Sequence, residues 1–363
     1  MQKFNIKKQI NKLYMVTSVG YFQIAGASWV ALLALRGFSL LEIGILESIF
    51  HIVSCCFEMP SGVMADVFGR KKVLLMSQIT SLLSGILMIL STGFATTAVA
   101  IGFSALSYNL ASGTREALAY DSLKLAGQEE DYQKFASTEM MLYRITNSTA
   151  TLCAGLALWL GFRKAYAVDI VFSLAAVLIA CSLKEVQLGE RQNNGNVFQD
   201  LINVIKESWK FLMTNKKAKR IMVVNALIGA ISTLVLFFLQ AKLPLAGLNH
   251  AMLGPALFVM GLGAAMGSRA VSHFPDSPYK KVVTAGSLCV LLALGMTFTK
   301  NPYLMIGGGF IGAFADDFLE VRTDVILNEM IPSEQRATLI SVNSFVFSVI
   351  MIIMSTLLGW VMK

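Results

Sequence analysis

Charged residues are scarce in this sequence: only 14% of its 363 residues are Asp, Glu, Lys or Arg, against roughly 25% in soluble domains. The sequence also lacks a GxxxxGKS/T phosphate loop, an HExxH or GxSxG motif and a convergent Ser/His/Asp set, which argues against an ATP-driven pump and against an enzyme. Its five Cys lie in apolar runs without a CxxC pair or a Cys/His cluster. Neither a metal site nor redox chemistry is therefore indicated.

Apolar residues are abundant: they make up 55% of the chain, and the mean hydropathy is +0.65. A bilayer core takes about 20 apolar residues per helical crossing, and runs of this kind predict eleven spans. The alternating ten-residue pattern of a membrane β-barrel is not visible. The predicted fold is an all-α polytopic membrane protein with spans near 13–36, 40–65, 73–94, 97–122, 137–160, 164–183, 221–241, 248–272, 282–299, 302–326 and 337–361.

Lys and Arg are unevenly distributed between the two sides of this bundle. With an uncleaved first helix and a cytosolic amino terminus, 20 basic residues fall on the cytosolic side and six on the other. The bias follows the positive-inside rule and predicts a multi-pass protein in this orientation. It also accounts for the net charge of +8, so a nucleic-acid partner is not needed.

One long polar segment, residues 184–220, divides the spans into six and five. It predicts an amino-terminal six-helix half (1–183), a cytosolic linker (184–220) and a carboxyl-terminal half (221–363). Apolar residues recur at helical spacing between 198 and 212, which indicates either an amphipathic helix on the membrane surface or a linker that shares this pattern.

The two halves match weakly at a constant offset. Arg115 and Arg322 lie 207 residues apart, and so do the Gly-Phe pairs that begin at Gly102 and Gly309. Two parallel repeats with a site at their interface are typical of a class of secondary transporters.

The stretch FEMPSGVMADVFGRKK, residues 57–72, places charge at the cytosolic end of the second span. Its GxxxDxxGRK spacing is carried by Gly62, Asp66, Gly69, Arg70 and Lys71. The glycines permit close helix approach and a tight turn. The spacing closely resembles the signature loop between helices two and three of the major facilitator superfamily, whose fold is a bundle of two pseudo-symmetric six-helix halves.

The resemblance implies roles for individual residues of this loop. Asp66 is expected to contact the start of the eleventh helix, and Arg70 to pair with an acid at the cytosolic end of the fourth helix, here Asp121. These contacts would latch the two halves in the outward-open state. The alternative is that Arg70, Lys71 and Lys72 only anchor the topology.

The resemblance also implies a secondary transporter of the bacterial cytoplasmic membrane that works by alternating access, as a monomer and without a cofactor. Bacterial drug/proton antiporters are the members it resembles, so we predict proton-coupled efflux of small amphipathic or drug-like molecules, as in multidrug resistance. Uptake or facilitated diffusion of a small nutrient or organic ion is the alternative. The superfamily usually has twelve helices, so we expect a twelfth to be missing here.

Ionisable residues inside a bilayer are functional candidates, because a charge at its centre costs on the order of 2.5–3.5 kcal/mol. On the second span, Glu47, His51 and Glu58 fall within about 40° of one helix face. They indicate a proton path, in which neighbouring acids help His51 to carry a proton. The alternative for His51 is a packed, hydrogen-bonded side chain.

Further intramembrane charges occur on three other spans. The acids of the tenth span are expected to line a cavity or to meet an arginine, and Arg144 is expected to pair with Glu58 or Glu116. The alternative for Arg115 and Arg144 is to reach the lipid headgroups. The candidates for proton coupling or the transport path are Arg115, Glu116, Arg144, Asp316, Asp317, Glu320 and Arg322.

Polar or aromatic residues at mid-span depth are candidates for the wall of a substrate pocket. Gly263 and Gly267, spaced GxxxG, and the three glycines 307–309 instead predict close helix contacts. The candidate pocket residues are Gln23, Trp29, Asn109, Asn147, Asn225 and Asn343.

Overall fold

The chain folds into helices, as its computed structural model shows for residues 5–186, 206, 215–274, 277–330 and 336–363, without the side chains of residues 59, 328 and 336–341. Among these residues there is no strand, so the predicted all-α fold is confirmed. The surface helix predicted at 198–212 lies, apart from Lys206, outside the described residues. The α-helices are α1 (Ile6–Gly20), α2 (Ile24–Ala27), α3 (Trp29–Leu35), α4 (Leu40–Phe68), α5 (Arg70–Leu90), α6 (Phe94–Ala111), α7 (Thr114–Leu125), α8 (Tyr132–Leu152), α9 (Ala154–Leu160), α10 (Phe162–Cys181), α11 (Lys216–Leu245), α12 (Leu253–Ala270), α13 (Tyr279–Met296), α14 (Pro302–Met330) and α15 (Arg336–Val361).

Eight segments of the described chain are long and apolar enough to cross a membrane. The predicted count of eleven is not reached by this measure for two reasons. The first and fifth predicted spans are divided among shorter helices, α1 to α3 and α8 to α9, and α14 carries several acids. The eight segments are Leu40–Glu58, Arg70–Leu90, Phe94–Leu125, Phe162–Cys181, Lys216–Leu245, His250–His273, Tyr279–Met296 and Val342–Val361.

The chain forms two compact units that are not contiguous in sequence. The second unit contains α3, the part of α4 up to Ile52, and most of α9, together with α11 to α15. The predicted halves, residues 1–183 and 221–363, are defined by a repeat in the sequence and not by compactness. The division into these halves therefore stays a prediction. The first unit consists of Met1–Ala27, Val53–Cys153 and Leu160–Asn203, and the second of Ser28–Ile52, Ala154–Trp159 and Val204–Lys363.

The first unit is built around α5, which packs against α6 and α10, while α1 packs against α10 and α8. Apolar side chains from α1, α5, α7, α8 and α10 form one buried cluster that holds these helices together. The cluster includes Leu13, Leu74, Leu118, Phe135 and Ala180.

The second unit is held by close helix contacts at glycines. A Cβ at Gly263 or Gly267 of α12 would collide with the carbonyl oxygens of Phe310 and Phe314 of α14, so the predicted GxxxG contact is confirmed. Gly309 makes a similar contact with the side chain of Met260, and Gly308 with Met296, whereas a Cβ at Gly307 would meet no atom of the described residues within 4 Å. The close contact predicted at Gly307 is therefore wrong.

A second glycine contact joins α4 and α15 within the same unit. A Cβ at Gly44 would collide with the carbonyl oxygen of Ser355, and the Ser48 hydroxyl donates to the carbonyl of Ile352 at 2.7 Å. The amino-terminal part of α4 is therefore fastened to α15, while α4 continues without interruption through Pro60 to Phe68.

Candidate functional site

The signature loop turns from α4 into α5 at Gly69. Its φ of +101° lies in the left-handed region that favours glycine, and a Cβ there would lie 2.6 Å from the Glu185 carboxylate. The predicted tight turn therefore forms. Gly62 is exposed, and a Cβ there would meet no atom of the described residues within 4 Å. The close helix approach predicted at Gly62 stays a prediction, because residues 331–335 and the side chains of residues 336–341 lie outside the described part of the chain.

Arg70 lies at the start of α5 and connects it to α7. Its Nη1 forms a close ion pair with Asp121 and donates to the carbonyl oxygen of Ala117 at 2.7 Å. Asp66 lies 3.8 Å from Nη2 with a side chain that is 74% exposed. The contact of Asp66 with the start of the eleventh span stays a prediction, since residues 331–335 lie outside the described chain.

Lys71 contributes through its backbone. Its N–H donates to Oε1 of Glu185 at 3.1 Å. Glu185 follows α10 and brings a carboxylate to the amino-terminal end of α5, where unpaired N–H groups and the helix dipole favour an anion. The loop is thus held by an acid that its own motif does not contain.

A buried charge cluster surrounds Arg115. Its Nε forms a close ion pair with Glu139, and its Nη2 lies 3.2 Å from Glu116. Thr17 donates to Glu139 at 3.0 Å, and the guanidinium lies 5.5 Å from the centre of the Tyr21 ring. Because Arg115 is only 8% exposed, the alternative in which it reaches the headgroups is excluded.

Arg144 does not form the predicted ion pair with Glu116 of the Arg115 cluster. Its side chain is exposed on α8, and the ion pair of Glu116 is made with Arg115. The predicted pairing of Arg144 with Glu116 is therefore corrected: a neighbour in sequence is close enough to neutralise the acid. Glu58 is half-buried in the first unit.

A break in the first span is held by Asp169 of α10. The backbone N–H groups of Ala25 and Gly26 in α2 donate to its two carboxylate oxygens at 3.3 and 2.9 Å, and Asp169 is 4% exposed. The first N–H groups of any helix have no partner within the helix. Asp169 therefore satisfies buried donors that the break between α1 and α2 creates. The first of the three segments that make up the first compact unit ends one residue later, at Ala27.

A polar cavity of about 130 Å³ lies within the first unit, between the first span, α5, α6 and α7. Gly20 leaves room for Gln78, whose Oε1 would lie 3.1 Å from a Cβ at that position. Gln23 donates to the Ser81 hydroxyl at 3.2 Å. Of the candidate pocket residues, Gln23 lines this cavity. The polar lining residues are Tyr21, Gln23, Ser77, Gln78, Ser81, Ser104, Ser107, Tyr108 and Arg115.

Glu47 and His51 form a titratable pair on successive turns of α4 in the second unit. His51 Nε2 lies 3.3 Å from Glu47 Oε1, and both residues are 8% exposed. The other ring nitrogen of His51 lies 3.3 Å from the Ser348 hydroxyl of α15. The pair therefore connects a group that can take up a proton to the contact between α4 and α15.

Asn109 serves the first unit as a link between helices. Its amide donates to the Ser54 hydroxyl of α4 at 3.0 Å and to the carbonyl of Ala105 at 2.8 Å, and Asn109 is 2% exposed. With both donors engaged in the described conformation, Asn109 fastens α6 to α4.

The acids of α14 lie in the second unit at different depths. Asp316 and Asp317 are half-buried, and Glu320 is exposed. Asp316 faces α11, because a Cβ at Gly229 would lie 3.3 Å from its Oδ1. Arg322 donates to the carbonyl oxygen of Ser277 at 3.4 Å. Within the described residues no group of three His, Cys, Asp or Glu side chains is placed to hold a metal ion.

The remaining pocket candidates have different surroundings. Asn225 accepts a hydrogen bond from Thr323 at 3.1 Å, and Trp29 packs edge-on against Phe237 with ring centres 6.0 Å apart. Asn343 is half-buried and Asn147 is exposed. A position near the middle of a predicted span is therefore not enough to place a residue in the cavity: the six candidates do not line one common cavity.

Three acids with clear structural partners were absent from the predicted site: Glu139, Asp169 and Glu185. Asp169 and Glu139 both fall inside predicted spans, so the cost of an intramembrane charge would have identified them. Glu185 had no such signal, because it lies in the polar segment and its contact with α5 depends on the fold.

Comparisons with known proteins agree with this architecture. The family model of the Major Facilitator Superfamily matches residues 13–353. A curated relative, the uncharacterized MFS-type transporter YxaM of Bacillus subtilis (strain 168), is 22% identical over 338 residues, which cover 91% of this chain and 83% of the relative.

Solved structures of transporters share the fold at low identity. The nucleoside transporter NupG aligns with a TM-score of 0.75 at 15% identity, covering 97% of this chain and 91% of its own. A bacterial homolog of the human lysosomal transporter Spinster, inward-facing and unoccupied, aligns at 0.71 with 13% identity, covering 96% and 80%. The D-xylose-proton symporter aligns at 0.65 with 13% identity, covering 97% and 88%.

Proposed function

This chain belongs to the major facilitator superfamily, whose members are membrane transporters rather than enzymes, and we propose that it uses the proton gradient to move a small molecule by alternating access. The observation that carries the proposal is the buried Glu47–His51 pair on α4. A proton that crosses the membrane releases about 2.3 kcal/mol per 100 mV, which is a sufficient drive without ATP.

The position of the pair supports a coupling role. The imidazole ring of histidine can take up and release a proton, which makes histidine a common proton carrier in proteins. His51 also contacts Ser348 of α15, and α4 passes at Ile52 from the second compact unit into the first. Protonation of His51 therefore changes the charge at the contact between α4 and α15, and α4 contributes residues to both compact units.

Direction and substrate are two further parts of the proposal. The resemblance of the signature loop favours export, and efflux of drug-like molecules stays a prediction. The hydroxyl and amide groups that line the cavity of the first unit favour the alternative, transport of a polar solute such as a nutrient. We also propose a monomer in a bacterial cytoplasmic membrane, with the amino terminus in the cytosol as the distribution of basic residues indicates.

Everted membrane vesicles test proton coupling and direction together. Their interior is acidified by respiration, and a pH-sensitive dye reports the release of protons when ethidium or D-ribose is added. Proton release on addition to empty vesicles indicates export by antiport, whereas release only from vesicles preloaded with solute indicates symport.

Variants of Glu47 and His51 test whether this pair couples proton movement to solute movement. Glu47→Gln and His51→Gln should each lose solute-dependent proton release while solute binding persists. Glu130→Gln, at an exposed acid between α7 and α8, is the matched control and should behave as the wild type. Full proton release in a Glu47→Gln/His51→Gln double variant would place the coupling site elsewhere.

A further inference from the structure

We propose that the polar cavity of the first unit binds a small uncharged solute of single-ring size that carries several hydroxyl groups, such as a monosaccharide or a cyclitol. The inference rests on the proposed transport function and specifies the class of its substrate. It follows from the polarity, the charge and the size of the cavity.

The lining is polar on several sides. Nine of the twelve lining residues have polar side chains, and they come from the first span, α5, α6 and α7. Hydroxyl groups both donate and accept hydrogen bonds, as do the amides of Gln23 and Gln78. An apolar ligand that displaced water from these groups would leave them without hydrogen-bond partners, which is unfavourable.

The charge of the cavity is already neutralised. Arg115 is the one lining residue with a full charge, and its guanidinium is engaged by Glu139 and Glu116. An anionic ligand would have to compete with two carboxylates for that guanidinium, and it would then lie close to both of them. An organic anion is therefore disfavoured, and an uncharged ligand disturbs no ion pair.

The amides are placed by the packing of the first span. Gly20 lets Gln78 lie against the backbone of α1, with Oε1 3.1 Å from the position of a Cβ. The Gln23 amide donates to the Ser81 hydroxyl of α5 at 3.2 Å. Two amides, together with hydroxyls from α5 and α6, suit a ring with hydroxyl groups on more than one edge.

The size of the cavity sets the size of the ligand. Its volume is about 130 Å³, and an apolar protein cavity of about 150 Å³ holds one benzene molecule. A ligand of single-ring size therefore matches this volume more closely than a multi-ring amphipathic drug such as ethidium does.

Equilibrium binding to the purified full chain in detergent tests the inference without any gradient. The probes are tritiated D-ribose, D-glucose and myo-inositol as uncharged polyols, with benzoate as the anion and ethidium as the amphipathic cation. We expect at least one polyol to bind and to raise the melting midpoint, and neither benzoate nor ethidium to compete for it.

Two variants alter the cavity in different ways. Gln78→Met keeps the side-chain volume and removes the amide, and should weaken polyol binding at least about fivefold. Ser104→Val replaces the hydroxyl with two methyl groups, so it removes a hydrogen-bonding group and narrows the cavity, and should also weaken polyol binding. Ser287→Val, at a half-buried serine of α13 whose hydroxyl bonds to its own helix at Val283, is the matched control and should bind normally.

The outcomes separate this inference from the proposed function. Failure of all three polyols to bind, or equal binding by wild type and both cavity variants, overturns the inference. If ethidium still drives proton release in everted vesicles in that case, proton-coupled transport stands without the polyol site. If a polyol binds and its binding depends on Gln78, the inference stands even where no proton release accompanies its transport.

Discussion

Asp169→Ala should destabilise the first unit because it removes the acceptor for a break in a membrane helix. In the wild type, the N–H groups of Ala25 and Gly26 donate to the Asp169 carboxylate at 3.3 and 2.9 Å. Alanine at this position leaves the buried N–H of Ala25 and the half-buried N–H of Gly26 without that partner. Water cannot easily replace it, since Asp169 is only 4% exposed.

The expected loss follows from the number of donors. A buried donor left unsatisfied costs about 1–3 kcal/mol, so two donors correspond to roughly 2–6 kcal/mol. Asp169→Asn retains one acceptor oxygen and should lose about half as much. At about 2–4 °C per kcal/mol, Asp169→Ala should lower the melting midpoint by at least about 4 °C.

The assay is heating of the purified protein in detergent, followed by size-exclusion chromatography of the fraction that remains monodisperse. Asp131→Ala, at an exposed acid before α8, is the control, and its midpoint should stay within about 1 °C of the wild type. The expected order of midpoints is wild type, Asp169→Asn, Asp169→Ala. A wild-type midpoint for Asp169→Ala would refute the reasoning, because the carboxylate would then not be what satisfies the broken span.

Two further predictions concern the signature loop and the glycine contacts. Arg70→Ala removes the ion pair with Asp121 and should abolish transport in reconstituted vesicles while expression persists; Lys72→Ala, at its exposed neighbour, should transport normally. Normal transport by Arg70→Ala would exclude the latch. Gly267→Val forces a side chain against the α14 backbone and should cost about 1–3 kcal/mol in thermal unfolding, whereas Gly261→Val, on the same helix with open space around it, should cost much less. Equal midpoints for these two variants would show that α12 and α14 do not depend on the close contact.

Much of the fold could be predicted because its causes are local in the sequence. A run of about 20 apolar residues predicts a membrane helix by itself, and Gly263 and Gly267 predict a close contact by their spacing. The breaks in the first and fifth spans could not be predicted in this way. In the first span the interruption depends on Asp169, which α10 supplies to the N–H groups of Ala25 and Gly26.

The candidate site shows the same division. The signature loop was recognisable from spacing alone, since a turn with positive φ favours glycine at 69 and the charged residues follow at fixed positions. The partners of those charges were mostly not recognisable. Glu185 reaches the loop from 114 residues away in sequence, and Glu139 reaches Arg115 from another helix.

The sequence by itself determined that this protein is a helical membrane transporter of the major facilitator superfamily, because hydropathy, basic-residue bias and loop spacing are properties of short segments. Only the tertiary structure decided which charges are neutralised and where polar groups converge. It paired Arg115 with Glu139 and gathered serines and glutamines from three spans around one cavity. Such convergence depends on the angles and depths at which helices pack, and those are set by contacts between residues that are distant in the chain.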